Sequence, residues 1–489
     1  MTSTARVLRT LILIPILGWC LTTGSVSAQQ GGKLGEMDLP HSPIVINLSD
    51  ASVQIIVTDS ADPGFRWWPA VPDSPGSTDV AAFADGAAVV IARPALSDRE
   101  TAARIRVEIV IGTEQSVSIV GDALDLEMES AHNDEPPQLD LDEAPATPVA
   151  TTIDLQLTGS EISLSGVGAV VGTLESSTAN FFETTGNHEL TLRDSELRVA
   201  GHLGAITVEA EGADVIVEDA QGSIAAKGFG GSVDLRSTRG RIKIELVGAN
   251  LHIHEAKVTG LVALTDSSAN IRDTRYQKMS FKSVTSYIAT SSCQGDQTID
   301  FTGGSLTADS GTGAVIGTAR DGARIDLADH RGDIKLNLQA DSSTDLRMIA
   351  GDVNLTSHSA EVSVDGAKSL TTNLVDTWAT LIGIEKLTSF QAHRSEVDLD
   401  LTATRERAVE IAVRAGSSVQ VHLASPCRVQ AKGLSASLAS QVDVTGCELQ
   451  LGRGTRWATR RARGIDGQPP IMLTAQVADS AELIVEGRP

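Results

Sequence analysis

From Leu197 onward the chain repeats an apolar-x-apolar pair every nine residues: Leu197/Val199, Ile206/Val208, Val215/Val217, Ile224/Ala226, Val233/Leu235, Ile242/Ile244 and Leu251/Ile253. Thirteen of these 14 sites are Ile, Leu or Val, where chance would place roughly four. Two residues before each pair stands a small residue: Ser195, Gly204, Ala213, Gly222, Gly231, Gly240 and Ala249. Apolar residues two apart share one face of a strand, and a small residue lets the backbone turn before the next strand. The i, i+3, i+4, i+7 spacing of an amphipathic helix is absent.

The beat resumes at Ile325/Leu327, Ile334/Leu336, Val353/Leu355 and Val362/Val364, and loosens over 280–305 and 374–390, where insertions or side loops are expected. SGVGAVVGT from Ser165 returns as SGTGAVIGT from Ser310, an echo 145 residues on. Short strands and tight corners repeated this often predict an all-β chain, a β-solenoid (β-helix) with a nine-residue repeat. Two strands per coil would give 18 residues and three would give 27; the spacing fits either. A smaller β-rich region precedes the repeats, with strands at Val53–Val57, Val89–Ile91, Ile105–Ile111 and Val117–Val120.

The expected organisation is a signal peptide over 1–28, an N-terminal β-rich region over 29–126 and an acidic, proline-bearing linker over 127–150. The solenoid follows over 151–452, then an Arg-rich segment and C-terminal cap strand over 453–489. Arg6 and Arg9, the apolar run Leu11–Leu21 and Val26-Ser27-Ala28 carry the signal-peptide reading. They place the chain outside the cytoplasm: periplasmic, cell-surface or extracellular. No later apolar run is long enough for a membrane helix.

Composition narrows the partners. The 489 residues carry a formal charge of −24, which becomes −26 without Arg6 and Arg9. That balance disfavours nucleic acid and anionic lipid. Fifteen aromatics are few for this length, as expected of a narrow aliphatic column with little room for rings. Three cysteines follow the leader: Cys293, Cys427 and Cys447. Cys427 and Cys447 lie 20 residues apart, near one two-strand coil. Stacking on adjacent rungs would bring them within disulfide reach and leave Cys293 free. Equally, all three could be small buried core residues.

Candidate binding residues are the aromatic pair Trp67-Trp68, read either as a carbohydrate-stacking platform or as a plug for the open end of the core. The second set is the basic cluster Arg453, Arg456, Trp457, Arg460, Arg461 and Arg463, read as a site for an anionic glycan or as a cap paired to acids of the same chain. Glycans or surface proteins are the expected partners. His252 and His254 share an outward face and would need a third ligand to hold a metal. Glu396, Asp398 and Asp400 alternate outward, as catalytic carboxylates or as a solvated strand. The glycine clusters at Gly166–Gly172 and Gly311–Gly317 lack a helix on which to hold phosphate. No cofactor is expected.

The run IRVEIVIGTEQSVSIV (Ile105–Val120) and the punctuated pairs GSVDL, GRIKI and GDIKL resemble the bacterial putative-adhesin domains, a group of exported solenoid-like β proteins. The resemblance spans residues 45–126 and 151–452; the acidic insertion and the Arg-rich tail depart from it. It implies an envelope or surface location and a binding role without catalytic residues. A non-enzymatic adhesin-like solenoid is therefore the expected function. A carbohydrate-active β-helix enzyme (polysaccharide lyase or hydrolase) is the alternative, and an end-to-end scaffold a third possibility.

Overall fold

The computed structural model describes residues 35–38, 43–58, 64–69, 81–85, 88–92, 105–112, 115–130, 151–432, 440–451 and 470–488. These form 42 strands and no helix, so no helix among them is long and apolar enough to cross a membrane. In the central part of the stack each coil holds two strands, a short one of five residues and a longer one of up to about nine, and each strand pairs in parallel with the next but one. The solenoid thus has a short-strand face and a long-strand face.

Stacked partners lie 18 residues apart, as in Ile206↔Ile224↔Ile242 and Val215↔Val233↔Leu251. All 14 apolar-pair residues from Leu197 to Ile253 are buried between the faces. The repeating unit is the 18-residue coil, because its two corners are unlike. One corner passes through a left-handed residue such as Asp194 (φ 46°) into a buried small residue, Ser195. The other passes through Gly201 (φ 68°), then bends the long strand at Gly204 (φ 144°). A Cβ on Gly204 would sit 1.8 Å from the Gly186 carbonyl oxygen, and Gly222 and Gly240 repeat that contact. The small residues of the sequence pattern therefore do two different jobs.

At the first corner serine hydroxyls link rungs. Ser177 N–H donates to Ser195 Oγ (3.1 Å), and Ser195 Oγ–H donates to the Arg193 carbonyl (2.7 Å). Ser160 and Ser177 repeat the arrangement one coil earlier. Each buried amide gains a partner that the sheet ladder does not supply.

No side loops occur where the sequence beat loosens. The register shifts nearby are single residues absorbed as bulges, one between Tyr276 and Met279 and one between Leu387 and Ser389. The described strands at the N-terminal end join the same stack. Val117–Asp122 and Asp125–Ser130 stack directly on Ile153–Thr158 and Glu161–Ser165. The strand over the expected linker start runs to Ser130; residues 131–150 lie outside the described residues, as do residues 1–28.

Both ends of the stack depart from chain order. The coil Ile44–Ser49/Ala51–Val57 lies between a later coil, Ala88–Ala92/Ile105–Ile111, and the next, Val117–Asp122/Asp125–Ser130. The outer coil is bordered by antiparallel strands, Ala81–Asp85 and Gly64–Pro69. At the other end Ile471–Val477 inserts between Ala408–Arg414 and Cys427–Lys432. Glu482–Arg488 likewise inserts between Ser418–Ala424 and Gln441–Thr445. The strand expected to cap the solenoid therefore lies inside it.

Candidate functional site

Cys427 and Cys447 form a disulfide between adjacent rungs, Cα–Cα 4.9 Å. Both are buried against the inserted strand: a Cβ on Gly487 would lie 2.9 Å from Cys427 Sγ. Cys293 is a free thiol, buried in the core, and that burial raises its pKa.

Trp67 lies in Gly64–Pro69, partly buried against the hydrophobic core, and Trp68 is in register with Arg106. Arg453, Arg456, Trp457, Arg460, Arg461 and Arg463 lie outside the described residues. His252 and His254 are exposed on the short-strand face; His254 sits 3.8 Å from Glu255 and 3.7 Å from Asp273. No cluster with metal-holding geometry occurs among the described residues.

Two of the three alternating acids are engaged. Asp398 lies 3.3 Å from His422 Nε2, and Asp400 lies 3.7 Å from Arg488. Glu486 closes the group at 3.3 Å from His422 Nδ1, while Glu396 is exposed. These contacts tie the inserted strand Glu482–Arg488 to the rungs before it.

The stacking assembles a different site, on the long-strand face. The strands Gln221–Phe229, Arg239–Val247, Lys257–Thr265 and Arg275–Val284 carry Lys227, Arg239, Arg241, Lys243, Lys257, Arg275, Lys278 and Lys282, eight cations against the single anion Glu245. Lys243 pairs with Glu245 at 3.1 Å. Arg239, Arg241, Lys257, Arg275 and Lys278 make no ion pair or side-chain hydrogen bond among the described residues. In the turns leading in, Glu255 and Asp273 lie against His254 instead. Neighbouring like charges repel by up to about 1 kcal/mol per pair in a water-like dielectric. A chain with 63 acidic residues has nevertheless left these cations together.

Beside them an open groove of about 620 Å³ runs along the stacking axis, lined from Thr173 to Lys282 across successive long strands. Phe229, Val247 and Val284 stand exposed on one edge (65%, 40% and 46%), with Lys227, Glu245 and Lys282 on the other. Leu192, Ala210, Gly228, Leu246 and Leu264 are register partners and line the groove. The leucines are nearly fully buried, whereas Ala210 and Gly228 are only partly covered. Two truncated side chains in a leucine column thus coincide with the opening.

Sequence order hides this patch, because its cations are scattered over 56 residues. The readable signal is Arg239, Lys257 and Arg275, spaced by 18; it is meaningful only once the coil length is known.

No family model matches the chain, and no curated protein matches it. Among solved structures, the crystal structure of a putative cell adhesion protein from Clostridium sporogenes is similar at 9% identity. The match covers 40% of this chain and 100% of that one, with a TM-score of 0.19. A likeness at that level carries no argument about this chain.

Proposed function

We propose that this chain is an exported, non-enzymatic, adhesin-like β-solenoid that binds its partner at the bacterial envelope or surface through the long-strand face. One observation carries the reading: eight cations against one anion on four stacked strands, in a chain of net charge −24. A stiff stack fixes the spacing of the backbone positions that carry these side chains, so binding need order only the side chains and not the backbone. Glycans and surface proteins are the proposed partners, and export rests on the signal-like residues 1–28.

The test is a binding screen of residues 29–489 on glycan and matrix-protein arrays, alongside incubation with acidic and neutral polysaccharides. Retention of at least one ligand without new reducing ends or unsaturated uronates is expected. Turnover would replace this reading with the lyase or hydrolase alternative. For export, the N-terminus of chain recovered outside the cytoplasm should be Gln29; recovery only in the cytoplasm with Met1 intact would end that part.

A further inference from the structure

The cations of the long-strand face are periodic along the solenoid axis. Arg239, Lys257 and Arg275 are register partners on three consecutive rungs, so one positive charge recurs every strand spacing, about 4.8 Å. Arg241 and Lys278 form a second row beside them, on either side of Thr259, whose hydroxyl donates to the Lys278 carbonyl at 2.8 Å. The row is bounded. In its own register it gives way to Gln221 on one side and Gln294 on the other, and the second row ends against Asp296, the register partner of Lys278.

A ligand that fits must carry anions in a line, about one per rung, over a short run. Duplex nucleic acid is a poor match, because its charge extends well past three rungs, beyond the point where the rows end at Gln221, Gln294 and Asp296. A membrane presents a plane of charge and would meet Asp296 and acids of the adjoining long strands such as Glu209 and Asp300 as well. A second copy of this face, turned about an axis along the strands, would set cation against cation. An extended chain of acidic sugars carries its charges singly, in line, at a comparable interval.

Resting on the binding reading above, we infer that the double row Arg239, Lys257, Arg275, Arg241 and Lys278 binds a linear acidic polysaccharide laid along the solenoid axis. Each guanidinium or ammonium donates charge-assisted hydrogen bonds to successive carboxylates. The apolar groove lies further along the same strands and is not part of this site.

The experiment titrates the purified full chain with polygalacturonate by calorimetry, with neutral dextran, phosphatidylglycerol vesicles and duplex DNA as parallel probes. Polygalacturonate should bind, with affinity falling as salt rises from about 0.02 to 0.2 M, and dextran should not. The variant R239A/K257A/R275A should lose about ten- to a hundredfold in affinity with an unchanged far-UV circular dichroism spectrum. The control R347A/R405A, at exposed arginines elsewhere, should bind as the parent does. Equal binding by the triple variant would remove the ladder while leaving the adhesin-like reading intact. Binding to vesicles or DNA in preference to polygalacturonate would overturn the polysaccharide assignment. Failure of every glycan and matrix protein in the wider screen would remove both.

Discussion

Glycine is required at the bend of the long strand, and the structure ranks its substitutions. At Gly222 a Cβ would fall 1.8 Å from the Gly204 carbonyl oxygen, with φ at 146°; at Gly248 it would meet nothing within 4 Å, with φ at 61°. Gly248→Ala should cost about 1–2 kcal/mol from left-handed strain alone. Gly222→Ala carries the clash in addition and should cost more; denaturant melts that place the two variants level would refute the close-approach argument. Buried histidines set a second prediction at this scale. Val170 N–H donates to His188 Nδ1 at 3.1 Å, so the ring proton is on Nε2, which donates to Thr184 Oγ1 at 2.8 Å. Thr184 in turn lies 2.9 Å from His202 Nδ1. Both rings are fully buried. Desolvation, then the neighbouring His202, lowers the His188 pKa to about 3, and desolvation lowers that of His202 to about 4. The unfolded chain therefore takes up protons first as pH falls below 6.5. The stability these residues contribute is complete above that value and drains away towards pH 3–4. By pH 5 the loss should be about 2 kcal/mol per histidine. Melting temperatures from pH 7.5 to 4.5 should fall accordingly, and H188L/H202L should flatten that slope whatever it does to the intercept.

Strands and corners show how much the sequence discloses and where it stops. The buried pairs from Leu197 to Ile253 are visible in the sequence because burial demands aliphatics at period two. The coil length is not, because Ser195 and Gly204 look alike as small residues while one fills a buried corner and the other permits a bend against Gly186. Once two strands per coil are known, Arg239, Lys257 and Arg275 become neighbours; before that they are isolated surface cations. The spacing of Cys427 and Cys447 already suggests a staple, but the strand inserted beside them leaves no local trace, since Glu482–Arg488 reads like any other. The disulfide closes a ring of about 20 residues, and losing it should cost about 3 kcal/mol by loop entropy. C427S/C447S should accordingly be trimmed by protease from the C-terminal coils first, with Ile153–Leu401 persisting. Uniform digestion of all coils would contradict a local role. Alkylation of unfolded, non-reduced chain starting at residue 29 should label one thiol, Cys293.

The described residues form a stack whose order in space differs from its order in the chain. In the middle, each coil lies on the one before it, and stability accrues by nearest-neighbour contact. At both ends a coil is enclosed by others laid down out of turn, with Ile44–Val57 covered on both sides and Ile471–Arg488 slotted between earlier coils. This arrangement sets a timetable. A chain emerging from its N-terminal end can zip its central coils as they appear, yet the rung after Ala408–Ala424 stays vacant until residues 471–488 arrive. Until then the edges of Ala408–Arg414 and Ser418–Ala424 lack the partners they have in the finished stack, and an uncovered edge is open to proteases and to strands of other molecules. The coil made last in the chain thus completes a stack most of which can already be built.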